Sequence, residues 1–203
     1  MYSMSLVLTL ASTWLAVEWL QRQRAQGAPA WAVAYLAVNW LALHTHYFNA
    51  FVLLAQSLFV FTRTLVLWRL WNRLVAWMSL QIILALLYLP WLLPALPLLT
   101  GYGGNGDSPG FGAMIWRSLS VFAVGESVPA EQRIGWAALG LLLLLLGVAQ
   151  LWQRGPSGRR ALWLLALYLC TPLLATWYSA QQRPIFNERY LIAAAPPFYL
   201  FVA

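Results

Sequence analysis

The chain has 203 residues, of which 62% are hydrophobic and 8% charged. A water-soluble domain carries about 25% charged residues, so composition excludes one and points to an all-α, multi-pass membrane protein. The formal net charge of +7 comes from arginine with no lysine, and the arginines lie between apolar runs. That spread argues against nucleic-acid binding and for retention of cytoplasmic loops or contact with anionic membrane lipids.

A membrane helix needs about 20 mostly apolar residues. Seven stretches qualify by apolarity: 3–20, 30–47, 49–67, 74–93, 134–152, 161–179 and 190–203. The last is too short to cross. The expectation is therefore about six transmembrane helices plus a partial seventh, in one transmembrane domain over 1–203. Runs such as LGLLLLLLGVAQLW are continuous and lack the alternation of a barrel strand.

The first stretch ends with Glu18, four residues before Arg22, the favoured spacing and order for a helical ion pair. The connections then alternate in charge. QRQRAQGAP, WRLWNR and WQRGPSGRR together hold seven arginines (Arg22, Arg24, Arg69, Arg73, Arg154, Arg159 and Arg160) and no acid. HTHYFN, residues 94–133 and QQRPIFNERY hold four, namely Arg117, Arg133, Arg183 and Arg189, beside Asp107, Glu126, Glu131 and Glu188. The positive-inside rule places the first set in the cytoplasm and the second outside.

Within the outer set, Pro90, Pro94 and Pro97 predict that the fourth helix ends or bends as it leaves the membrane. Residues 98–133 then read as an external loop region. Its Gly-rich opening, GYGGNGDSPGFG, has no Gly-Lys-Ser/Thr after it and no strand before it, so it is a flexible loop and not a phosphate loop. Cys170, alone in an apolar run, reads as a small buried packing residue. Met1-Tyr2-Ser3-Met4 has no basic leader, and the last apolar run stops short of a full span. The expectation is an internal piece of a longer membrane protein, or a frame read from a wrong start.

Chemistry, if present, belongs on the outer side, where the histidines and most acids fall. His44 and His46 point about 200° apart on a helix and cannot share a metal ion. Two readings stand for them: a helix-end histidine hydrogen-bonded at the interface, or His46 and Tyr47 lining a polar pocket. RPIFNERY crowds Arg183, Glu188 and Arg189 beside an apolar segment. Two readings stand here also. The arginines can anchor to headgroups, or they can grip a phosphate through forked, charge-assisted bonds with Glu188 orienting one guanidinium.

The order HTHYFNAFVLLAQSLFVF, then a Gly-rich external stretch, then RPIFNERYLIAAAPPFYL resembles the C-type, polytopic membrane glycosyltransferases related to protein O-mannosyltransferases and aminoarabinose transferases. The motifs that carry the resemblance are Thr-His-Tyr-Phe at 45–48 and Arg-Tyr-Leu with a following Pro pair at 189–197. It implies transfer of a sugar from a polyprenyl-phosphate carrier to a lipid, glycan or protein acceptor. The active face would lie outside a prokaryotic plasma membrane.

The resemblance places Arg189 at the carrier phosphate with Tyr190 beside it, and His46 and Tyr47 facing the same cavity. Arg183 and Glu188 are added from position alone. It places the catalytic carboxylate in a first external loop that this chain does not contain, so no catalytic base or metal ligand is assigned here. The chain alone is expected to be inactive. A divalent metal is a cofactor that the resemblance allows in the full-length enzyme. Asp107, Glu126 and Glu131 have no spacing that makes any of them a substitute base. The alternatives are a transporter or flippase of an anionic lipid or solute, and a non-catalytic membrane subunit.

Overall fold

The computed structural model describes residues 2–22, 28–67, 71–104, 106–125 and 128–203. Arg24, Arg69 and Glu126 lie outside them. Among the described residues the fold is all-helical, with a single isolated antiparallel bridge between Asp107 and Phe186. The chain divides into two compact units, residues 1–103 and 104–203.

The first unit consists of α1 (Tyr2–Arg22), α2 (Ala28–Thr45), α3 (Asn49–Leu67) and α4 (Trp71–Gly101). Long apolar runs without Gly or Pro interruption make the first three; the expected ion pair closes on α1, with Arg22 Nε 2.8 Å from Glu18 Oε2. The core forms around Trp77, which meets the Tyr35 ring at 5.3 Å and the Trp19 ring at 5.9 Å, with Leu15, Val60 and Leu80 beside them.

This core also contains a polar seam. Ser12 Oγ donates to Asn39 Oδ1 at 2.7 Å, and Gln56 Nε2 donates to Ser12 Oγ at 2.9 Å. Tyr35 donates its hydroxyl to Gln56 Oε1 at 2.9 Å and accepts from Gln81 Nε2 at 3.2 Å. The seam thereby links all four helices. Outward positions such as Leu86, Val75 and Leu98 are hydrophobic and exposed. A water-soluble bundle has the opposite arrangement.

The second unit consists of α5 (Phe111–Val124), α6 (Ala130–Gln153), α7 (Gly155–Gln182), a 3-10 helix (Glu188–Ala194) and α8 (Ala195–Val202). α6 packs against α8 closely enough that a Cβ on Gly147 would collide with the Phe201 carbonyl.

Among the described residues, four helical segments are long and apolar enough to cross a membrane: Ser3–Arg22, Trp71–Gly101, Glu131–Gln153 and Gly155–Gln182. α2 and α3 form where the second and third stretches were expected but are not among these four. Cys170, expected as a buried packing residue, is exposed. Of the two outcomes expected at Pro90, Pro94 and Pro97, an end or a bend, the end does not occur: α4 runs through them to Gly101. The region 98–133 is no simple loop, because α5 occupies its middle; Met114, Ser118 and Phe122 recur every fourth residue and bury one face. The partial seventh helix starts as a 3-10 helix, and only Ala195–Val202 is α-helical.

Tyr35→Phe removes the hydroxyl that joins Gln56 to Gln81. The buried Gln56 Oε1 then loses its donor and the half-buried Gln81 amide its acceptor, and thermal unfolding in detergent should show a loss of about 1–2 kcal/mol. Adding Gln56→Leu should cost less in that background than in the wild type, as a double-mutant cycle would measure.

Candidate functional site

The charged stretch 183–190 begins where α7 ends. Arg183 takes extended geometry as the cap of α7. The Ile185 amide donates to the Arg183 carbonyl at 2.7 Å, closing a tight turn around Pro184. The chain then runs extended to Asn187, whose side chain accepts from the Arg189 amide at 3.0 Å and caps the 3-10 helix.

The Gly-rich loop pairs with this segment. Gly106 donates its amide to the Pro184 carbonyl at 2.8 Å, and Asp107 and Phe186 exchange both amide–carbonyl bonds at 3.1 and 3.2 Å. A Cβ on Gly106 would collide with the Phe186 carbonyl, so the absence of a side chain there permits the approach. Ser108 Oγ also donates to the Ala180 carbonyl at 2.7 Å. The stretch expected as a flexible loop is thus tied to the end of α7 and to the segment that follows it.

Arg117, on α5, joins the two chain segments a second time. Its Nε donates to Glu188 Oε1 and its terminal nitrogen to Asp107 Oδ2, each at 2.5 Å. Its guanidinium carbon lies 4.9 Å from the centre of the buried Phe186 ring, within cation–π reach. Partial burial opposes the charge on Arg117. The bonds to Glu188 and then Asp107 outweigh that burial and hold its pKa above the usual arginine range.

Glu188 was expected to orient one of the guanidinium groups of its own segment; the guanidinium it holds is that of Arg117. Arg183 and Arg189 are exposed, while Tyr190 and Glu188 are half-buried. Sequence reasoning passed over Arg117 and gave Asp107 no role. The available signal was the Met114–Ser118–Phe122 periodicity, which puts Arg117 on a helix.

His46 and Tyr47 belong to the first unit. His46 follows the end of α2, and its ring stacks on Tyr47 with centroids 5.5 Å apart. Tyr47 lines a groove of about 430 Å³ whose walls include Leu43, Leu53, Leu84 and Tyr88, with Gln81 as the one amide. The pocket expected to be polar is apolar because α3 and α4 contribute mainly leucine and alanine to it. His44 is a helix-end residue: its Nδ1 lies 2.8 Å from the Trp40 carbonyl. Among the described residues, no group of three His, Cys, Asp or Glu side chains gathers to hold a metal ion.

No protein-family model, no curated protein and no solved structure matches this chain. The site is therefore read from its own geometry.

Replacing Arg117 with Ala leaves two carboxylates without their shared cation. Because Arg117 and Asp107 are more than a third exposed, solvent weakens that pair and the Glu188 bond dominates. Hydrogen exchange at the Gly106, Asp107 and Phe186 amides should speed up by about tenfold. Arg117→Lys, which has no fork, should recover only part of the protection.

Burial lowers the His46 pKa below its ordinary 6.5. Its Nδ1 accepts from the Phe48 amide at 3.3 Å, an interaction that a proton on that nitrogen would abolish. The fold thus favours neutral imidazole. That stabilisation is full above about pH 6.5 and is lost as the pH falls through the lowered value. Melting temperature should fall between about pH 7.5 and pH 5, and by less in His46→Gln.

Proposed function

We propose that this chain is a polytopic membrane protein of the C-type glycosyltransferase kind. In this reading its segment from Arg183 to Tyr190 receives the phosphate of a polyprenyl-phosphate-linked sugar at the outer face of a prokaryotic plasma membrane. The observation that carries the reading is the restraint on that segment. Arg183 and Arg189 are exposed at its two ends, while the backbone between them is bridged to residues 106–107 and Glu188 is bonded to Arg117.

A fixed segment binds an anion with little ordering cost. Two guanidinium groups can offer forked bonds to phosphate oxygens. The four long apolar helices and the hydrophobic outward faces support placement in a bilayer. The acceptor is a lipid, glycan or protein, and no catalytic base is assigned among the described residues.

The test is binding of a polyprenyl phosphate to the full chain in nanodiscs. Arg183→Gln and Arg189→Gln should each weaken binding by about ten- to a hundredfold, the worth of charge-assisted hydrogen bonds. Unchanged binding in both variants would overturn the reading. With a labelled polyprenyl-phosphate sugar in proteoliposomes, appearance of label in acceptor supports transfer. Passage of intact donor across the bilayer, without transfer, would instead favour a flippase.

A further inference from the structure

α6 and α7 are joined without a loop. Arg154 caps α6, and Gly155 opens α7 with φ of 73°, a left-handed conformation that glycine adopts freely. Gly158 then lies against the last turn of α6, where a Cβ would collide with the Leu151 carbonyl and crowd the Arg154 Cβ. The reversal gathers Arg154, Arg159 and Arg160, all exposed, into one short turn.

Two of the three guanidinium groups are steadied. The Arg159 guanidinium lies 4.8 Å from the Trp152 ring centre, across the turn on α6. Arg160 Nε donates to the Pro156 carbonyl at 3.1 Å, and the base of Arg154 backs onto Gly158. Among the described residues none of the three enters an ion pair, and the sequence has no Asp or Glu from 132 to 187. Both helices are long and apolar enough to cross a membrane, and the exposed Trp152 and Trp163 flank the turn. Such rings favour the headgroup level.

We infer that this turn is a binding site for the phosphate of anionic phospholipids in the surrounding bilayer, an inference that rests on the membrane reading above. The occupant follows from the placement. Two spanning helices leave the turn among headgroups, where three uncompensated guanidinium groups, two of them already restrained, meet lipid phosphates as their nearest anions. The site lies on the cytoplasmic side of the topology that the arginine distribution sets, apart from the segment at 183–190 in charge and role.

The experiment is a titration of the detergent-solubilised full chain with phosphatidylglycerol or phosphatidylcholine, with bound lipid read by native mass spectrometry. Phosphatidylglycerol should bind more tightly by on the order of tenfold, and less so in high salt. Replacing Arg154, Arg159 and Arg160 together with Gln should weaken it by on the order of a hundredfold. Arg154→Gln alone, which leaves the turn's packing in place, should weaken it by about fivefold.

Arg183→Gln with Arg189→Gln should leave phosphatidylglycerol binding intact. Unchanged binding in the turn variants overturns the inference. If the lipid is lost only from the Arg183 and Arg189 variant, this inference fails while the carrier-phosphate reading survives. Equal competition by inorganic phosphate would mark a free-anion site and overturn the assignment to lipid.

Discussion

Buried polar side chains in the first unit are satisfied by one another and by backbone carbonyls. The outward faces of its helices are largely apolar, and an apolar surrounding offers an amide or hydroxyl no partner. Ser12, Asn39, Gln56, Tyr35 and Gln81 close their bonds across four helices. That requirement fixes how each helix is rotated, since turning any one by a residue would bring an amide to the surface. Apolar contacts around Trp77 fill the remaining volume, but dispersion alone tolerates sliding. The hydrogen bonds set the register.

The second unit meets the same constraint with charges. Arg117 is the hinge of its design, because one planar group holds carboxylates from two distant parts of the chain and covers Phe186. The acid in RPIFNERY is thereby occupied, which leaves the segment's exposed surface basic. Loop and segment become one rigid piece, although neither has regular secondary structure of any length. An anion site built on such a piece gains from preorganisation what it lacks in depth.

Most helices could be read from the chain because an apolar run of bilayer length is a strong and local signal. Glu18 and Arg22 were equally legible, since their pairing depends only on helical spacing. What escaped notice depends on distance along the chain. Arg117 and Glu188 are 71 residues apart, and no local pattern announces that they meet. α5 was hidden because 14 residues are too few for a membrane span and because a central arginine in a Gly-rich neighbourhood looks like loop. Gly106 illustrates the same ambiguity: glycine signals freedom in a loop and close approach in a packed one, and only the neighbour across the gap distinguishes them. Of the site residues, Arg183 and Arg189 stood out by charge, whereas the scaffold that restrains them did not.

The prolines of α4 have a consequence of a different kind. Each removes the amide that would have bonded the carbonyl four residues earlier, so Leu86, Pro90 and Leu93 lose their helical donors. At about 100° per residue those three carbonyls fall within roughly 60° of one another around the helix. One flank of α4 is therefore an acceptor strip with no donors of its own. Such a strip welcomes water, hydroxyls and amides and repels phosphate. The chain thus presents two opposite polarities: guanidinium-rich segments suited to anions, and a carbonyl flank suited to hydrogen-bond donors and cations.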